Sequence, residues 1–503
     1  MKRQTTPPPT GWAPSRRQAL AVGLVLPTGL WLPGGARAVP GGDEPPPPLA
    51  PRPLALPPVH EHTLPNGLTV VVAPRPGLPV LSLSLVVRAG PEADPVGKPG
   101  VASMLATLWP KGALRGGRPV PATELARQAE ALGSAIDARS SWGASVLGMT
   151  VTSPRVPEAL ALMADVLRRP LLAAAELERA RTQALDGLRV TLGNPGDVAA
   201  LALRRVFWGD VPHGRVAPPA AIKRITLADL QAFQALWVRP DRVVLVLAGD
   251  ITPEAGQALA QRLLGDWKAP ASAAPVVEAA APQPLASPLV LIDLPGAGQT
   301  GVAVAAPFVA TAAVDRRIAQ VAQAVLGVGY SSRINQEVRI QRGLSYGAFA
   351  NAESFAGGGM FSAQAQTNHP TAAEVLQLLR ATITSLADKP PTAAELSARQ
   401  ATLVGSFARR LDTNGGLSAL LLGQILNGRP LADLGKVVPE TLAVTADQVQ
   451  AFARQRFAVA GLRAVVVGDL SAAGASLAAL APQALRLTMA ELDLERPGLR
   501  KPG

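Results

Sequence analysis

Thr226–Asp250 (TLADLQAFQALWVRPDRVVLVLAGD) and Thr445–Asp469 (TADQVQAFARQRFAVAGLRAVVVGD) align without a gap, 219 residues apart. Each opens on a Thr, carries a Phe at the same place (Phe233, Phe452) and runs into an apolar strand ending in Gly-Asp (Gly249-Asp250, Gly468-Asp469). A repeat of this length signals tandem copies of one domain and excludes a solenoid of short units. Mixed strands and helices within each copy predict an α+β fold of two tandem two-layer α/β sandwiches, helices on one side of each sheet. The strand expected at Gly301–Ala305 then corresponds to Val80–Val87.

Outward from the repeat, the chain divides into a segment 1–38, a Pro-rich leader 39–58, a first domain 59–268, an Ala/Pro-rich linker 269–288, a second domain 289–490 and a tail 491–503. Thr63–Leu68 contains Asn66-Gly67 and predicts a hairpin with a tight turn. Helices are expected at Gly100–Trp109, Thr123–Leu132, 154–169, 174–192, 196–207, 226–237 and 253–265, with a strand pair at Ser134–Asp137 and Ala144–Thr152.

At 503 residues the chain is long enough for two domains. It has no cysteine, which excludes disulfides, thiolate metal sites and a Cys nucleophile. Arg16 and Arg17 precede an apolar run, Ala19–Leu32, followed by Ala36-Arg37-Ala38. That is the pattern of an export signal cleaved after Ala38, of Sec or, from Ser15-Arg16-Arg17, twin-arginine type. The expected address is periplasmic, with no integral membrane span once the signal is removed. The formal charge is +12, and loss of the five bases in 1–38 brings it to +7. Without a concentrated basic tract or aromatic–basic interleaving, nucleic acid is not an expected partner.

Ser331–Tyr346 (SSRINQEVRIQRGLSY) follows a Gly-rich bend at Gly327 and Gly329. It predicts a helix with Ile334, Val338 and Ile340 as apolar positions, ended by Gly343 and followed by a strand. Arg339 and Tyr346 flank that turn. A guanidinium and a phenol so placed can hold a carbonyl oxygen, and they also suit an ordinary exposed helix end.

With Gly347 added, this segment is similar to the second-domain signature of the pitrilysin/insulinase (inverzincin) family of zinc metallopeptidases, which includes the mitochondrial processing peptidases. The resemblance extends over about 60–490 and implies the two-layer sandwich domains of those enzymes, paired as half of a clamshell. It implies that Arg339 and Tyr346 bind substrate and help stabilise the tetrahedral intermediate. The family binds zinc through His-x-x-Glu-His on the first helix of the first domain, with a third ligand on a later helix. Here the corresponding helix reads GVASMLATLWPKG (Gly100–Gly112). Ser103 and Thr107 stand at the His positions, Ala106 at the general-base position, and Leu185 at the third-ligand position. Asp186 is adjacent but about 100° round the helix.

Four histidines remain: His60, His62, His213 and His369. His60 and His62 alternate on an extended segment and could share a face. His213 reads as a loop residue and His369 as a capping residue. No nucleophile elbow, P-loop or dinucleotide fingerprint is present, and Gly357-Gly358-Gly359 reads as a tight bend.

The resemblance therefore implies a family member that is not catalytic alone and holds no metal. It would be the degenerate subunit of a periplasmic heterodimer, bringing the Arg339/Tyr346 pair and half of a peptide chamber to a partner with an intact His-x-x-Glu-His and bound zinc. The alternative is a stand-alone peptide-binding or structural protein of the same fold with no proteolytic role.

Overall fold

The computed structural model describes residues 55–474, 477, 479 and 484–502. The expected export signal and the leader up to residue 54 lie outside the described residues. The described residues form one compact unit. Its strands are β1 (His60–Thr63), β2 (Thr69–Pro74), β3 (Val80–Val87), β4 (Gly112–Arg115), β5 (Arg118–Pro121), β6 (Asp137–Ser141) and β7 (Ala144–Thr152). They continue with β8 (Val243–Gly249), β9 (Leu289–Asp293), β10 (Thr300–Phe308), β11 (Ala348–Phe355), β12 (Gly358–Thr367), β13 (Arg463–Gly468) and β14 (Leu485–Thr488).

The first half holds helices α1 (Val101–Leu108), α2 (Ala122–Ala131), α3 (Val156–Arg168), α4 (Ala174–Gly193), α5 (Pro195–Trp208), α6 (Pro219–Arg224), α7 (Leu227–Trp237) and α8 (Pro253–Leu264). The second half holds α9 (Arg316–Gly327), α10 (Arg333–Asn335), α11 (Ala372–Ser385), α12 (Ala393–Leu411), α13 (Asn414–Leu426), α14 (Val437–Leu442) and α15 (Ala446–Arg456). The helices α4, α5 and α7 start 219 residues before α12, α13 and α15, so the repeat extends well beyond the two quoted segments.

The two sheets have matching orders, β1-β2-β8-β3-β7-β6 and β14-β9-β13-β10-β12-β11. β2 runs parallel to β8 as β9 does to β13, and the pairs towards β6 and β11 are antiparallel. The outermost places differ. β1 reaches its place as a hairpin with β2, whereas β14 arrives from the chain's last segment and runs parallel to β9.

Helices do not lie on one side only, contrary to the sequence expectation. Along β3, Leu81, Leu83 and Leu85 pack under α1, α3 and α7, while Val86 turns to the other face. That second face of the first sheet is covered by Phe407 and Leu411 of α12 and Leu417 and Leu421 of α13. Reciprocally, Val198, Ala202, Leu203 and Val206 of α5 cover the second face of the second sheet, against Val290, Ala303, Val465 and Val467. Central strands covered on both faces read as continuous apolar runs, which is why β8 (VVLVLAG) is buried throughout.

Two local expectations shift. The first hairpin closes through a five-residue connection, Leu64–Leu68, with Gly67 at φ 89°, rather than a two-residue turn. The strand expected at Ser134–Asp137 begins at Asp137 and continues to Ser141.

The exchange of helices depends on close approach. A Cβ on Gly301 of β10 would stand 2.5 Å from the carbonyl of Pro195, at the first turn of α5. Nearby, Asn194 caps α5 through Gly196 N (2.9 Å) and Asp197 N (3.2 Å), and accepts from Gln366 Nε2 of β12 (3.1 Å). Gly301→Ala is expected to cost about 1–3 kcal/mol, as overpacking of a fixed backbone contact does. Denaturant unfolding measures it, and an unchanged midpoint would contradict the contact.

Candidate functional site

The stretch Ser331–Tyr346 departs from the helix its spacing suggests. After the short α10 the backbone widens into a π-helical turn, Gln336–Ile340, with Gln341 N bonded to Gln336 O at 2.9 Å. Such turns recur at functional sites because one extra residue re-aims those that follow. Ile334 and Val338 are fully buried, but Ile340 is 39% exposed and not part of the core. Gly343, at φ 64°, donates to Arg339 O at 2.9 Å and releases the chain towards β11.

The structure brings Arg339 and Tyr346, which flank the turn, together. The Arg339 guanidinium carbon lies 5.0 Å from the Tyr346 ring centroid. It also lies 5.1 Å from the ring of Tyr330, which the sequence reading did not single out. These are the chain's only two tyrosines, and both lean on one guanidinium. The signal available in the sequence was this rarity, together with the position of Tyr330 just before the segment. Both rings are solvent-facing, Tyr346 at 91% exposure.

Arg339 differs from its neighbours. Arg333 is held by Glu395 through two bonds of 2.8 Å, and Arg342 is paired with Glu337. Among the described residues Arg339 has neither a carboxylate nor a hydrogen-bond partner. Two aromatic faces, each worth about 0.5–1 kcal/mol to an exposed cation, orient it while leaving its N–H edges free. The loop bearing Tyr330 is pinned from below. Buried Arg399 donates to Val328 O (2.8 Å) and Ser331 Oγ (2.6 Å), and buried Asn335 donates to Tyr330 O (2.7 Å).

The metal-site counterparts are chemically different. Ser103 and Thr107 share an exposed face of α1, and the Thr107 hydroxyl is spent on Ser103 O at 2.9 Å. Ala106 is buried in the core. Leu185 packs against the same core from α4, while Asp186 faces solvent and pairs with Arg189 at 2.9 Å. Neutral hydroxyls, a methyl and an isobutyl group do not fit zinc, which takes imidazole, thiolate or carboxylate. Among the described residues there is no group of three or more His, Cys, Asp or Glu able to hold a metal ion. Asp94 instead serves the start of α1, accepting from Gly100 N (2.6 Å) and Ala102 N (2.7 Å).

The histidines are placed elsewhere. His60 and His62 lie on the exposed strand β1, and His62 Nε2 contacts Gln257 at 2.9 Å. His369 does not cap α11; it bridges Thr300 Oγ1 and the Ala297 carbonyl, both at 2.8 Å. His213 sits in a turn, Pro212–Gly214, and is buried, stacked on Phe355 at 3.9 Å between Trp142 and Trp208.

Models of two family domains match this chain: insulinase (peptidase family M16) over residues 69–214, and the peptidase M16 inactive domain over 224–403. The chain belongs to the insulinase family. An uncharacterized zinc protease of Mycobacterium tuberculosis is 25% identical over 394 residues, 78% of this chain and 89% of that protein. The mitochondrial-processing peptidase subunit beta of Saccharomyces cerevisiae is 27% identical over 284 residues, 54% of this chain and 59% of that one. Among solved structures, the peptidase M16 inactive domain from Pseudomonas fluorescens superposes with a TM-score of 0.75 at 26% identity, covering 82% of this chain and 98% of that one. A protease from Helicobacter pylori shares the fold at the same TM-score and 20% identity, over 82% and 100% of the two chains. This insulinase-family chain thus has the family's architecture, and the residues that the sequence resemblance sets at the metal-site positions do not fit zinc.

Two buried groups set opposite pH dependences in this insulinase-family fold. Burial, and then the Arg204 guanidinium, pushes the His213 imidazole down to about 4 from 6.5. The stability it lends is fully present above pH 6.5 and is lost as pH falls through about 4. Burial raises the Asp94 carboxyl from 3.8 to about 7, against the two N–H donors that favour its anion. Its contribution is fully present below 3.8 and is lost as pH rises through about 7. In melting curves, His213→Phe should flatten the loss of stability towards acid, and Asp94→Asn should flatten the loss approaching neutrality. Slopes unchanged from the parent chain would refute these assignments.

Proposed function

We propose that this chain is the metal-free subunit of an exported zinc peptidase heterodimer, supplying Arg339 and Tyr346 and half of a peptide chamber. The observation that carries this reading is the contrast between two sites. The residues that the resemblance sets at the metal positions do not fit zinc, while among the described residues Arg339 stands unpaired, oriented and accessible. A free guanidinium of this kind suits a substrate carbonyl whose oxygen becomes negative in the transition state, the type of stabilisation that contributes most to acyl-transfer catalysis. The partner, a family member with an intact His-x-x-Glu-His, would hold the zinc and the general base. The substrate would be an extended peptide enclosed between the two subunits. The signal-like pattern of 1–38 supports a periplasmic address, and family relatives named as zinc proteases and as a processing-peptidase subunit support the peptidase context.

The experiment is peptide hydrolysis and zinc content, measured on the purified chain, on the partner and on their mixture. Hydrolysis confined to the mixture, with zinc only in the partner, is expected. Zinc-dependent, chelator-sensitive hydrolysis by this chain alone would overturn the proposal. Silence of all three would favour a peptide-binding or structural protein.

Within the pair, Arg339→Ala should lower kcat/KM by about a hundredfold or more, with co-elution of the subunits unchanged. Tyr330→Ala should lower kcat/KM about tenfold by loosening Arg339, and Tyr330→Phe should restore most of it because the ring supplies the orientation. Normal turnover by Arg339→Ala would remove this side chain from the site.

A further inference from the structure

We propose that the second half contains a binding site for a small multivalent oxyanion of the phosphate class, between α9, α12 and α13. The site is a cavity of about 400 Å³ whose polar lining comes chiefly from Arg317, Gln320, Gln323, Arg410, Gln424 and Arg429. No carboxylate lines it. A second cavity of about 270 Å³ shares Gln320, Gln323, Asn427 and Arg429 with it and adds Arg316.

The charges around these cavities do not balance. Arg316 and Arg317 share one oxygen of Glu440, at 3.5 and 3.0 Å. Asp433 is engaged by Lys436 at 2.8 Å. Arg429 donates through Nε and Nη2 to the Thr311 carbonyl, a neutral acceptor. Arg410 has no side-chain partner among the described residues. Five cations therefore face two carboxylates. The crowding is felt by Arg429, whose pKa is held below its ordinary value first by burial and then by Arg316 and Arg317. Like charges gathered around a concave recess focus a positive potential that attracts an anion.

A second observation points to a ligand. Gln424 is 5% exposed, and its side-chain amide has no hydrogen-bond partner among the described residues although it lines the cavity. The amide opens onto the cavity, where a bound oxyanion can accept from its N–H. Arg316 Nε, at the adjoining cavity, is buried without a partner. Framework bonds account for Arg317 and for two donors of Arg429. Arg410, an exposed residue of α12, and Gln424 of α13 make no such bond and line the same cavity. Donors arriving from three helices suit a tetrahedral oxyanion, which accepts from several directions, better than a planar carboxylate, which matches one guanidinium fork.

The test is titration of the purified full chain with inorganic phosphate by calorimetry, at constant ionic strength set with sodium chloride. Saturable single-site binding is expected, with sulfate competing. Arg410→Ala and Gln424→Leu should each weaken binding about tenfold, the scale of a lost charge-assisted or buried hydrogen bond. Phosphate should raise the melting temperature of the parent chain and raise that of either variant less. Both variants should melt like the parent chain without phosphate, which separates loss of the site from loss of the fold. Absence of saturable heat, equal affinity in parent and variants, or binding that added chloride abolishes as fast as charge screening does would each overturn the proposal. None of these outcomes depends on the peptidase reading, because the chain is tested alone and without peptide.

Discussion

Each of the two sheets has an apolar face that its own half leaves bare, and covering that face constrains everything else. At roughly 25 cal/mol per Å² of apolar surface, a face carrying Val71, Val86, Val244 and Val246 cannot stand in water without a large loss of stability. The chain meets the constraint by exchange, sending α5 across to the second sheet and α12 and α13 back to the first. The two copies are thereby fused into one unit. Gly301 is small because the crossing backbone of Pro195 passes directly over it. Buried Arg205, at the end of α5, ties the crossing further through Gly209 O, Asp210 and Glu495 O.

This fused framework positions the candidate site. α9 is buried along one face and delivers the chain to the loop at Val328–Ser331, where Arg399 of α12 fixes the backbone. The π turn then rotates Arg339 to a position between two rings. Arg333 and Arg342 are consumed by Glu395 and Glu337, so the segment's unspent positive charge collects on Arg339. The side chains of α1 contrast with this. Hydroxyl and methyl groups leave nothing that can bind a divalent ion, and Asp94 organises only the helix start.

Period-2 and period-3.6 patterns, read directly, placed most helices and the central strands, because those elements bury one consistent set of apolar positions. The duplication was legible since Thr226–Asp250 and Thr445–Asp469 keep the same length and the same terminal Gly-Asp. The hairpin β4–β5 was missed, its short strands carrying no apolar alternation strong enough to announce it. Ile340 leaves the core because a π turn breaks the α-helical period there, and the role of His369 rests on a bond to Ala297, 72 residues away, which local spacing does not reveal.

The sequence by itself determined the class of fold, the tandem copies and the placing of Arg339 and Tyr346 on either side of one turn, and its family resemblance pointed to Ser103, Ala106, Thr107 and Leu185 as the metal-site counterparts. All of these are local patterns or fixed spacings along the chain. Only the tertiary structure decided that the halves exchange helices, that Tyr330 completes the stack on Arg339, and that Arg316, Arg317, Arg410 and Arg429 crowd around adjoining cavities. The reason is physical: burial of a sheet's second face and the meeting of like charges depend on segments far apart in sequence, and their distances are set by packing alone.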